Sequence, residues 1–195
     1  SSPPSTAIDL GTGRTAIAVS AGYDHTCAIL DNGDLKCWGR NSWGQLGEGS
    51  TTSVAAPSPT AIDLGTGRTA VAVSSGNSHT CAILDNGDLK CWGRDNYGQL
   101  GNGGSTATTQ TSPPSTAIDL GSGRTAVAVS AGYGHTCAIL DNGDLKCWGR
   151  NYHGQLGDGG NTDTDAPSST AINLGTGRTA VAVAAFAFYT CAILD

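Results

Sequence analysis

The chain has 195 residues and a net charge of -6. The acidic balance argues against nucleic acid, whose phosphates attract a basic stripe, and against an anionic membrane surface. No apolar run approaches the length of a membrane span, and 29 glycines with no methionine suit short strands and tight turns better than long surface helices.

Self-similarity organises everything else. The string CAILDNGDLKCWGR begins at Cys27, Cys81 and Cys137 without change, and a fourth copy runs from Cys191 to Asp195. The offsets are 54, 56 and 54 residues. The chain therefore reads as one repeat array with units 6–59, 60–115, 116–169 and an incomplete 170–195. Each unit is expected to hold four short strands. In the first unit, Thr6–Leu10 precedes a Gly11-Thr12-Gly13 turn, and Thr15–Ala21 alternates with period two, as a strand does. His25–Leu30 and Asp34–Gly39 then flank Asp31-Asn32-Gly33, and Asn-Gly between apolar runs is a strong hairpin signal. A Gly-Gln-Leu-Gly follows at Gly44, Gly98 and Gly154, then a Ser/Thr/Pro-rich stretch. The period predicts an all-β, propeller-type array of four-stranded blades.

The pattern carried by Gly22, His25, Thr26, Ala28, Ile29, Gly33, Leu35, Trp38, Gly39, Asn41, Gly44, Gln45, Leu46 and Gly47 resembles the regulator of chromosome condensation repeat. It recurs across essentially the whole chain. The resemblance implies a propeller, commonly of seven blades, and the cysteine before each tryptophan resembles the secreted bacterial branch. That family hosts unrelated activities, so the function must be argued from the residues.

Six of the seven cysteines fall in three pairs: Cys27 with Cys37, Cys81 with Cys91, Cys137 with Cys147. Zinc would favour two-residue spacing with histidine in ligand register. If Gly33 closes a three-residue loop in the left-handed conformation, Leu30 faces Asp34 and Cys27 faces Cys37. A two-residue turn would set Ala28 opposite Cys37 instead. Disulfides, and with them a secreted protein, are expected; reduced thiols in a cytosolic protein are the alternative.

His25, His79 and His135 recur in every complete unit, as catalytic or metal-ligating residues rarely would. They are expected to tie each blade to itself by hydrogen bonds. Gly-Thr-Gly-Arg lacks the frame of a phosphate loop and reads as a turn. Asp158, Asp163 and Asp165 lack calcium-loop spacing and read as a solvated loop. No catalytic cluster breaks the repetition, so neither an enzyme nor a cofactor or metal is expected. The informative positions are those where units differ: Tyr23-Asp24, Asn77-Ser78 and Tyr133-Gly134, then Ser42-Trp43, Asn96-Tyr97 and Tyr152-His153. Loop aromatics on a uniform scaffold suit protein or glycan contacts, with drift at exposed tips as the alternative.

The fourth unit replaces the Gly-x-x-His turn with Phe186, Ala187, Phe188 and Tyr189, and Cys191 has no partner ten residues on. With no initiator methionine or signal peptide, a processed product or a segment of a longer chain is expected. The leading expectation is an extracellular, non-enzymatic structural or interaction protein, associating end to end into an oligomer or filament through Phe186, Phe188, Tyr189 and Cys191. The alternative is a secreted module gripping a protein or glycan.

Overall fold

A computed structural model describes residues 6–104 and 108–195. The first unit contributes β1 (Ala16–Ala21), β2 (His25–Leu30) and β3 (Leu35–Gly39). The second contributes β4 (Ala70–Ser75), β5 (His79–Leu84), β6 (Leu89–Arg94) and β7 (Thr109–Gln110). The third contributes β8 (Ala126–Ala131), β9 (His135–Leu140) and β10 (Leu145–Gly149), and the fourth β11 (Ala180–Phe186) and β12 (Tyr189–Leu194). All described strands pair antiparallel in sequence order, and no helix occurs among the described residues. The fold is an open array of propeller blades.

The hairpins obey their turn chemistry. Gly33 adopts φ +81°, its amide donates to the Leu30 carbonyl, and the Leu30 amide donates to Asp34. The loop therefore has three residues, which sets Ile29 opposite Leu35 and Cys27 opposite Cys37. The same register recurs at Cys81 and Cys91 and at Cys137 and Cys147, and all three pairs are bonded. Each bond closes a short loop, worth roughly 2–3 kcal/mol. Peptide mapping without reduction should recover these three links, and reduction should lower the denaturant midpoint; links between blades would contradict the register.

One part of the strand assignment is corrected. Thr6–Leu10 and its later copies form no strand. In the later copies the alternating apolar residues wedge between blades instead: Ile62, Leu64, Ile118 and Leu120 are buried there. Each of the three later copies makes one ladder-like bond, from Ile62 to Leu35, Ile118 to Leu89 and Ile172 to Leu145. The outer edge of a blade comes from the stretch after Gly-Gln-Leu-Gly. It is β7 in the second unit, and single bridges from Val54 to Gly39 and Thr164 to Gly149 in the first and third.

Alternation gives each blade two different faces, and unlike faces meet. Cys27, Ile29, Leu35 and Cys37 of the first unit pack with Ala82, Leu84 and Trp92 of the second. Cys81, Ile83, Leu89 and Cys91 meet Ala138, Leu140 and Trp148 in the same way. Cys137, Ile139, Leu145 and Cys147 meet Ala180, Val183 and Leu194. No unit buries both faces alone, which is why stability resides in the joints.

Polar bonds also cross these joints, and they correct the reading of the histidines. His25 Nε2 lies 2.8 Å from Thr80 Oγ1, His79 Nε2 3.0 Å from Thr136, and His135 Nε2 3.0 Å from Thr190. Each histidine ties its blade to the next, not to itself. Thr80 Oγ1 donates onward to the Gln45 carbonyl, as Thr136 does to Gln99. Those hydroxyl protons are thus committed, so His25 and His79 must donate from Nε2. Serine hydroxyls extend the stitching: Ser20, Ser74 and Ser130 accept from the amides of Ser75, Ala131 and Ala185.

Candidate functional site

The two sets of variable residues share one face of the array. The turns after β1, β4 and β8 and the loops after β3, β6 and β10 emerge at the same strand ends, because His25 pairs with Gly39 and its equivalents do likewise. Backbone bonds lock turn to loop: the Arg40, Arg94 and Arg150 amides donate to Asp24, Ser78 and Gly134.

Buried amides make each loop rigid. Asn41 Oδ1 accepts from the Leu46 amide while its Nδ2 donates to the Ser50 and Thr52 carbonyls. Gln45 Oε1 accepts from the Trp43 amide. Gln99 and Gln155 hold Tyr97 and His153 identically. The Asn-x-x-Gly-Gln-Leu-Gly frame therefore projects residues 42–43, 96–97 and 152–153 as equivalent tips. In the third unit Asp163 accepts from the Asn151 amide and Asp158 from its Nδ2, so these carboxylates clamp the loop. Among the described residues no cluster of His, Cys, Asp or Glu is placed to hold a metal ion.

Asp95 stands where the other units have Asn41 and Asn151. Its Oδ1 accepts from the Leu100 amide, and its buried Oδ2 has no well-formed donor among the described residues. Burial holds the carboxyl above the usual range, only partly offset by hydrogen bonds from the Leu100 amide and the Asn102 side chain. A raised folded pKa is a cost present at neutral pH and relieved on acidification. Asp95→Asn is expected to raise stability at pH 7 by about 1–2 kcal/mol, with the gain shrinking as pH falls toward the carboxylate range, read as a denaturant midpoint at each pH.

The tips converge into a ladder that crosses all four units. The Arg94 guanidinium lies 4.7 Å from the Trp43 ring and 5.7 Å from Tyr97. Arg150 lies 4.9 Å from Tyr97 and 5.1 Å from Phe188. Phe188 also stacks on Tyr133 and meets His153, which meets Tyr152. Beside the ladder is a mainly apolar cleft of about 510 Å³ that includes Tyr23, Asn77, Tyr133, Phe186 and Phe188. Of the residues singled out from sequence, Tyr23, Trp43, Asn77, Tyr97, Tyr133, Tyr152, His153, Phe186 and Phe188 thus lie on one continuous surface, with Asp24 bound to Arg40 at its margin.

The fourth unit reaches that surface through a different turn. In the first unit a Cβ at Gly22 would sit 2.7 Å from the His25 ring and 2.5 Å from the Gly76 carbonyl, so only glycine fits. Tyr189 replaces the histidine and is exposed, which leaves room for Phe186; the two rings stack. β11 extends to pair Phe186 with Tyr189, and Ala187 takes φ +38° at the tip. Cys191 occupies the register position of Cys27, is exposed, and forms no disulfide.

Two residues of the surface escaped sequence reasoning: Arg94 and Arg150. The signal lay in their neighbours, since Asp24, the partner of Arg40, becomes Ser78 and Gly134 in the next two units.

The sequence profile described as "Regulator of chromosome condensation (RCC1) repeat" matches residues 32–83, 86–139 and 142–193. The chain belongs to the RCC1 repeat family. Each RCC1 match begins in one blade's β-hairpin loop and ends within the next blade, so it encloses one joint. A second profile of the same description matches residues 16–45, 70–99 and 126–155. The ultraviolet-B receptor UVR8 of Arabidopsis thaliana is 33% identical over 85% of this chain and 36% of its own length. The secretion-regulating guanine nucleotide exchange factor of Mus musculus is 32% identical over 79% of this chain and 35% of its own. The chain thus spans about a third of these curated relatives. Among solved structures, Prp20p from Saccharomyces cerevisiae superposes with a TM-score of 0.78 at 20% identity, over 91% of this chain and 43% of that one. The CRINKLY WD40 ectodomain of the Arabidopsis thaliana receptor kinase ACR4 gives 0.52 at 20% identity, over 92% and 46%. These two likenesses establish the fold alone.

Proposed function

We propose that this chain is an extracellular binding module that engages a protein through the aromatic–arginine face. The observation that carries the reading is convergence. The loop aromatics at which the units differ sit at one end of the strands, and those after β3, β6 and β10 lie on loops whose backbones are fixed by buried Asn, Asp and Gln side chains. Preorganised aromatic tips bind at low entropic cost. Three disulfides support an oxidising compartment. The relatives' names include an ultraviolet-B receptor and a guanine nucleotide exchange factor. A catalytic role draws no support from the three recurring histidines, which are buried in the joints. Alanine at Tyr23, Trp43, Tyr97, Tyr133 and Tyr152 together should abolish crosslinking to partners in extracellular fluid. Unchanged crosslinking would place the contact elsewhere.

A second reading, self-association into an oligomer or filament, rests on the blade faces. Val19, 70% exposed, and half-buried Trp38 belong to one face type, and Cys191 and Ile193, the latter 64% exposed, to its complement. A second copy could mate them as the internal joints do. Light scattering across a concentration series tests this: species above about 20 kDa that grow with concentration support it, and a monodisperse monomer refutes it.

A further inference from the structure

We infer that the partner segment seated on this face is acidic, its carboxylates gripped by Arg94 and Arg150 while an apolar side chain enters the adjoining cleft; this rests on the binding reading above.

Most cations of the chain already have an oxygen partner. Arg14, Arg40, Arg68, Arg124 and Arg178 are each paired with an aspartate at 3.0–3.3 Å. Lys36, Lys90 and Lys146 donate to the backbone carbonyls of Pro59, Leu64 and Leu120. Among the described residues only Arg94 and Arg150 contact neither a carboxylate nor a carbonyl through their side chains, and the buried Arg94 Nε has no acceptor among them. In a chain of net charge -6, both unpaired guanidiniums stand on the same face.

Their freedom is built in. Arg40 is neutralised by Asp24 at 3.0 Å. The equivalent positions beside Arg94 and Arg150 are Ser78 and Gly134, which carry no charge. Gly134 is also sterically required, because a Cβ there would lie 2.9 Å from the Tyr97 ring that stacks on Arg150. Aromatic rings on either side hold each planar fork in place without consuming its donors, which leaves it able to bind a carboxylate with two parallel bonds. The cleft beside them is walled by Ala21, Ala131, Phe186 and Phe188 and offers few polar groups, among them Ser75 and Asn77. It suits an apolar side chain better than a sugar, whose hydroxyls would go unpaired. Together these favour a peptide over an anionic glycan.

The test uses the full chain and a fluorescein-labelled short peptide of Asp and Glu with one central Phe, followed by anisotropy. Binding is expected at low salt, weakening as NaCl rises. The amide version of the peptide, with Asn and Gln, should bind at least about tenfold more weakly. R94Q/R150Q should show a similar loss. Ser78→Asp should also weaken binding, by giving Arg94 the internal partner that Arg40 has, while removing no arginine. Circular dichroism and thermal melting check that each variant stays folded. Equal binding of the acidic and amide peptides, or full binding by both variants, overturns the inference. Tighter arginine-dependent binding of a heparin fragment than of the peptide also overturns it. Should the peptide fail while the five-alanine variant still loses its crosslinked partner, the acidic segment is wrong and the binding face stands.

Discussion

Acidification from pH 6.5 to about 4 is expected to unfold this protein at denaturant concentrations it tolerates at neutral pH. Burial drives His25 and His135 down to about 4 and His79 to about 3, from an ordinary 6.5. In His79 the neighbouring His135 and His25 add to the effect. Among the described residues each Nδ1 is buried with no partner, so a second ring proton would have nothing to bond there. The unfolded chain takes up protons as pH falls through 6.5, while the folded joints do not until about 4. A depressed folded pKa is therefore stability present above 6.5 and lost across that window, at about 1.4 kcal/mol per histidine for each pH unit crossed. Three joints together should lose on the order of 10 kcal/mol, comparable to the whole margin of a small domain. Urea midpoints measured from pH 7.5 to 4 should fall steeply, and His79→Gln should flatten the curve. A midpoint independent of pH in that range would show that the histidines are not buried neutral.

Trp92→Ala is expected to cost about 3–5 kcal/mol, and Trp38→Ala about 1. The two residues occupy the same register position in successive units, opposite Thr80 and Thr26. Trp92 is fully buried in a joint, and its Nε1 donates to the Gln45 carbonyl at 3.0 Å. It packs so tightly on Gly47 that a Cβ there would lie 2.6 Å from Nε1. Removing it opens a cavity in the joint and takes one of two donors from that carbonyl, leaving Thr80. Trp38 is half-buried, and no such bond holds it among the described residues. Equal costs for the two substitutions would mean that stability lies within blades rather than between them.

Local chemistry made the hairpins legible. Asn-Gly turns and the parity of the cysteines determine who faces whom over ten residues, and nothing distant intervenes. Thr6–Leu10 misled because an alternating apolar pair looks the same whether its backbone joins a ladder or lies between two sheets. The histidines misled for a related reason. Repetition shows that His25 matters, but its partner, Thr80, lies 55 residues away in the next unit. The proposed binding face was half legible. Departures from the repeat marked Tyr23, Trp43 and Tyr133, whereas Arg94 and Arg150 were hidden by their constancy, since what changes between units is the carboxylate beside them.

If one face of the array is the binding surface, its exposed and half-buried rings must lose solvent when a partner docks. Hydroxyl-radical footprinting of the chain, free and crosslinked to its partner, tests this most directly, because those rings are reactive targets. Tyr23, Trp43, Tyr97, Tyr133 and Tyr152 should be protected in the complex, with Ile17, Val71 and Val127 of the exposed strand edges labelled as before. Protection of those strand residues with the five aromatic rings unchanged would contradict the assignment.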